Sequence, residues 1–107
     1  MKVTPSLLRY TYKVLKSTAF HDIAVPLVEF DVSPLRKAWG YYYSNPPKIQ
    51  IAKSITSPQR LLMVVAHEMV HAALDKAGSK THGDHGKDFR DLGEIICKRM
   101  GWCAKEF

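Results

Sequence analysis

The chain has 107 residues, 46% of them hydrophobic and 24% charged, the balance of one globular domain with a modest core. Its net charge of +6 suits polyanionic partners, but the basic residues are scattered with no run longer than Arg36-Lys37 or Lys98-Arg99, so a solvated basic surface accounts for it equally well. Every apolar stretch falls short of the roughly 20 residues a membrane-spanning helix needs.

In chain order, "MKVTPSLLRYTYKVLK" is no secretory signal, because Arg9, Lys13 and Lys16 interrupt its apolar residues. A soluble, cytoplasmic protein with no membrane partner is expected. Pro5, followed by Leu7, Leu8, Val14 and Leu15 with Tyr10 and Tyr12 between, predicts an amphipathic N-terminal helix. "VPLVEFDVS" sets Leu27, Glu29 and Asp31 against Val28, Phe30 and Val32, the period of a half-buried strand. "RKAWGYYYSNPPKIQIAKSI" reads as a hairpin turning at Ser44-Asn45-Pro46-Pro47, with Ile49, Ile51 and Ile55 alternating and Lys48 and Lys53 marking an exposed edge.

"TSPQRLL" opens a second helix. Thr56 or Ser57 can cap it, Pro58 fits its first turn, Thr56 and Gln59 have capping-box spacing, and Gly78 stops it. The loop "GSKTHGDHG" leads to a last helix with Phe89, Leu92, Ile96 and Met100 on one stripe and Gly101 as its stop. Gly93 inside that helix costs about 1 kcal/mol relative to alanine, which suits a site where another backbone packs closely. Cys97 and Cys103 lack C-x-x-C spacing and are expected to be reduced and packed in the core. With no repeat or linker, residues 1–107 are expected to form a single α+β domain with a small antiparallel sheet.

The chemistry lies in "VVAHEMVHAALDKAG". Residues four apart on a helix differ by about 40° around the axis and about 6 Å along it, so His67 and His71 stack on one face and both rings can reach one cation. Glu68 is turned about 100° from His67 and stands beside the site. This is the H-E-x-x-H pattern, in which the glutamate handles the proton of the attacking water. Catalytic zinc needs a third protein ligand and an open position. The metzincin continuation is absent, because Leu74 and Ala77 stand where glycine and histidine would be. From the residues alone the third ligand lies among His82, His85, Asp84, Asp88 and Glu94.

"HEMVHAAL" followed by "HGKDF" resembles the SprT-like (Spartan-type) metalloprotease domain, in which H-E-x-x-H is followed by H-G-x-x-F. Over roughly residues 5–101 the resemblance implies a minimal zincin-like fold with a catalytic H-E-x-x-H helix and a C-terminal helix. It implies a Zn2+ site of His67, His71 and His85, with Glu68 as catalytic acid and base. "AWG" at 38–40 is similar to the family's tryptophan–glycine element, although Tyr41 stands where the family carries a cysteine. The zinc ribbon or DNA-binding segment that some members carry beyond the protease core is not expected here. Gly83 and Gly86 suit His85 as the ligand, since they let the backbone turn closely past a metal.

The expected function is zinc-dependent hydrolysis of peptide bonds in protein substrates, with DNA-associated proteins as one substrate class and DNA as a candidate partner. Tyr41, Tyr42, Tyr43 and His82 are candidates for substrate contact and for stabilising an oxyanion, and the peptide is expected to add as a strand along the edge near 48–53. Two other readings compete. One is a non-catalytic, zinc-stapled nucleic-acid-binding module, favoured by the charge and by Trp39 and Tyr41–Tyr43 as stacking platforms. The other is a related zincin hydrolase acting on a different amide.

Overall fold

In the computed structural model, which describes residues 1–107, Thr4 starts helix α1 (Pro5–Ser17) by accepting the Leu7 N–H on its hydroxyl at 3.1 Å. A side-chain acceptor there satisfies one of the free N–H groups that open any helix. Leu8, Thr11, Tyr12 and Leu15 turn inward, while Tyr10 and Val14 face solvent. The Tyr12 hydroxyl donates to the Pro26 carbonyl, and burial pushes its pKa up to about 12.

Three strands follow: β1 (Glu29–Ser33), β2 (Gly40–Ser44) and β3 (Pro47–Ala52). The predicted alternation holds through β1 and the two residues before it, where Val28, Phe30 and Val32 pack on the core and Leu27 is 88% exposed. The predicted antiparallel sheet does not hold. The order is β1-β3-β2, with β1 parallel and β2 antiparallel to β3, so the sheet is mixed. The reason is burial. Ile49, Ile51 and Ala52 are fully buried, and such an apolar strand is best covered along both edges. Lys48 and Lys53 flag only the ends of β3: Lys48 lies over the Tyr43 ring at 5.1 Å, and Lys53 follows the strand. The expected free edge near 48–53 is therefore paired on both sides.

In register, Phe30, Ile49 and Tyr42 form one row of the sheet, and Val32, Ile51 and Gly40 the next. A Cβ on Gly40 would stand 3.0 Å from the Gln50 oxygen and 3.1 Å from a Val64 methyl. Glycine thus lets β2 lie close against the next helix, α2 (Pro58–Lys76).

Helix α2 is the spine of the domain. Ser57 caps it through the Arg60 N–H at 3.3 Å, so the cap is Ser57 and the Thr56–Gln59 pair does not form one; Pro58 occupies the first turn. Beyond its end, Gly78 takes a left-handed φ of 82°. Helix α3 (Lys87–Met100) turns Phe89, Gly93, Ile96 and Cys97 inward and ends at Gly101 with φ 75°. Arg99 ties it to the turn that follows α1 by donating to Asp22 at 2.7 and 3.0 Å and to the Ala19 carbonyl at 2.8 Å. Both thiols are free and Cys97 is buried as expected, but Cys103 is exposed. It lies past the Gly101 turn, where the chain leaves the core for a short 3-10 turn at Ala104–Glu106.

Candidate metal centre

His67 and His71, one turn apart on α2, point the same way, and the loop after α2 brings His85 onto them. The His85 Nε2 lies 3.2 Å from His67 Nε2 and 3.1 Å from His71 Nε2. One donor atom from each of the three rings falls within 4.8 Å of the other two. His85 stands just before α3, two residues ahead of Lys87, with Gly86 as the cap between.

The opposite nitrogens fix the tautomers. His67 Nδ1 is 2.7 Å from the Phe107 main-chain oxygen, and His71 Nδ1 is 2.5 Å from that of His82. A main-chain oxygen only accepts, so each Nδ1 carries the proton and each Nε2 presents a lone pair to the cluster. Burial drives the pKa of His67 down to about 4 and lowers that of His71, which keeps both rings neutral, the state a metal ligand requires.

These donors fit a divalent cation. Two nitrogens on a tetrahedral zinc, each at about 2.0–2.1 Å, lie about 3.3 Å apart; the two pairs that include His85 stand at 3.1 and 3.2 Å, and all three donors lie within 4.8 Å of one another. Phe89 serves as a common floor, with its ring centroid 4.8, 4.7 and 4.6 Å from those of His67, His71 and His85.

Glu68 is 5% exposed, and burial pushes its pKa up to about 8. It shares with the three histidines the wall of an open groove of about 800 Å³, whose other side is formed by residues 38–45. Tyr41, Tyr42, Tyr43 and His82 all border that groove. The Tyr42 hydroxyl donates to Asp75 at 2.7 Å and the Tyr43 hydroxyl to Gln50 at 2.8 Å.

The other candidates for a third ligand stand elsewhere. Asp88 accepts from Ser79 at 3.0 Å and Thr81 at 3.4 Å, pinning the loop to α3. His82 turns its Nε2 toward Asp75, 3.8 Å away. Asp84 and Glu94 are exposed and outside the cluster.

Two residues at the site escape a reading of the sequence. Asp75 gathers Tyr42 and His82, and it continues the His67–His71 spacing by one more turn, a signal that was available. Phe107 supplies the acceptor for His67 from 40 residues away, and nothing local announces that.

A family model described as the SprT-like family matches residues 8–105. Neither the curated proteins nor the solved structures give a match.

Proposed function

The chain belongs to the SprT-like family, and on that premise we propose that it is a zinc-dependent metalloendopeptidase of zincin-like fold, acting on peptide bonds of protein substrates. One observation carries this reading: three imidazole nitrogens converge on the wall of an open groove that the buried Glu68 carboxyl also lines.

His67, His71 and His85 would hold the metal. Bound there, zinc supplies Lewis acidity that acidifies water and polarises a carbonyl. Glu68 is held protonated by burial alone, but a cation held by the three histidines would favour its charged form, in which it would take a proton from the attacking water and return one to the departing amine. The peptide lies extended along β2, which is an outer strand of the sheet, and main-chain bonds to such an edge hold substrates with little sequence preference. Two of the three tyrosine hydroxyls are engaged, by Asp75 and Gln50, which leaves Tyr41 and His82 as candidates to stabilise the oxyanion.

The test is Glu68→Gln. It should retain one zinc per chain and lose cleavage of an unfolded protein by at least about 100-fold, the contribution expected of a general base. Turnover at the unmodified rate refutes the assignment. Parallel assays on small amide substrates separate a protease from a zincin acting on another bond. A metal that merely stapled the fold would be closed by four protein ligands, whereas three donors meet here at a groove.

A second property is proposed on a separate observation. Trp39, Tyr41 and Tyr43 are exposed on a chain of net charge +6, a combination that suits recruitment to DNA and cleavage of proteins bound there. Binding to single-stranded DNA should then weaken steeply with added salt. Absence of binding at low salt removes this property and leaves the protease reading intact.

A further inference from the structure

The segment after α3 doubles back onto the site. Its start is anchored where the Trp102 N–H donates to the Cys97 carbonyl at 2.8 Å. The 3-10 turn at Ala104–Glu106 then reverses the chain, and Phe107 arrives beside His67, their ring centroids 5.4 Å apart. There the Phe107 main-chain oxygen accepts the Nδ1 proton of His67.

The Phe107 ring has a prepared seat. It stacks on Trp102 at 6.2 Å and on Phe89 at 5.9 Å, and Phe89 in turn touches all three histidine rings. The seat opens over Gly93, where an added Cβ would stand 3.3 Å from the Phe107 ring. A glycine in mid-helix weakens the helix. The expected close neighbour is thus an aromatic side chain rather than a backbone, and it belongs to the segment that reaches His67.

We propose that residues 102–107 form a strap that positions His67 for the metal, with the Phe107 main-chain oxygen as the positioning group and Gly93 as the seat of its anchor. The inference rests on the metal reading above. It assigns the strap the part that the His82 carbonyl plays for His71. Acceptors behind a ligating histidine fix its tautomer and ring direction, and their loss typically costs about 10–100-fold in metal affinity.

The test measures zinc affinity on the full chain by competition with a chromophoric chelator. Deletion of residues 104–107 removes the acceptor, and Gly93→Leu displaces the anchor while favouring the helix. Both should weaken zinc binding by about 10-fold or more, whereas Lys16→Ala, at an exposed position on α1, should not. Nitrogen-15 spectra of the histidines in the metal-free protein supply a readout independent of zinc. They should show His67 protonated at Nδ1 in the unmodified chain and a mixture of tautomers once the strap is gone.

Unchanged affinity in both variants, or a His67 ring protonated at Nε2 in the unmodified protein, overturns the strap. An unmodified chain that takes up no divalent metal, while its spectra show His67 as proposed, overturns the metal reading instead.

Discussion

Helix α2 has two faces, and they are stabilised in different ways. On one, Leu61, Val65 and Met69 follow each other at intervals of four and vanish into the core. Their neighbours are other apolar side chains, and residues of similar volume would serve. On the other, His67, His71 and Asp75 follow at the same interval, and each meets a partner from outside the helix: Phe107, His82 and Tyr42. The first face needs only volume and apolarity. The second needs specific atoms in specific places, because a buried polar group without a partner costs roughly 1–3 kcal/mol. One helix therefore holds the fold by side-chain packing and the site by hydrogen bonds to its surroundings.

Substitutions on the two faces should give opposite signatures, and the largest effect is on the site side. His85→Ala removes an exposed ring, so the metal-free protein should melt at its usual temperature while zinc uptake and cleavage are abolished. Chelation of the unmodified protein should reproduce that loss, and added zinc should reverse it. A fall in the melting temperature of metal-free His85→Ala would mean that the faces are not separable. On the core side, Met69→Ala empties a fully buried position and should cost about 2–5 kcal/mol of stability, measured by denaturant unfolding of the metal-free protein. The fraction that stays folded should bind zinc with unchanged affinity.

The two faces also differ in how far the sequence reveals them. Helical spacing announces His67, Glu68 and His71, because their geometry depends only on the rise and turn of one helix. His85 is reached through its motif, since the residues alone leave His82, Asp84, Asp88 and Glu94 as rivals, and only folding turns those four elsewhere. The strand order is invisible for a related reason. Which strand stands in the middle is decided by the burial of Ile49 and Ile51 between two distant segments, and Lys48 and Lys53, at the ends of β3, imitate an exposed edge. Phe107 is the extreme case. Its sole forerunner in the sequence is Gly93, which signals a close neighbour and not which one.

Tyr42 bridges the faces, so Tyr42→Phe should register on both, and weakly. Its hydroxyl donates to Asp75 at 2.7 Å, and burial together with that carboxylate raises the hydroxyl pKa. Removing the hydroxyl leaves a half-buried carboxylate short of a donor, at a cost of about 1–2 kcal/mol. Zinc affinity should fall by less than it does on deletion of the strap, because Asp75 reaches the histidine cluster through His82. An effect on stability with none on zinc binding would place Asp75 on the structural side of the division.

The smallest effect belongs to a pair remote from both faces. Arg99 holds the Asp22 carboxyl below its ordinary value of 3.8, chiefly by hydrogen bonding. A carboxylate whose pKa is lowered by folding contributes stability that is fully present above its unfolded value. That contribution disappears as the pH falls through the lowered folded value. The advantage of the unmodified protein over Asp22→Asn should therefore be constant from neutral pH down to about pH 5 and shrink as the solution is acidified below about 4. Both side chains are partly solvated, so the difference should be small and should diminish further in salt. The pair joins α3 to the turn that follows α1, so zinc affinity should stay the same throughout. A stability gap that persists undiminished into strong acid would show that the contact acts through geometry that asparagine cannot reproduce, not through charge.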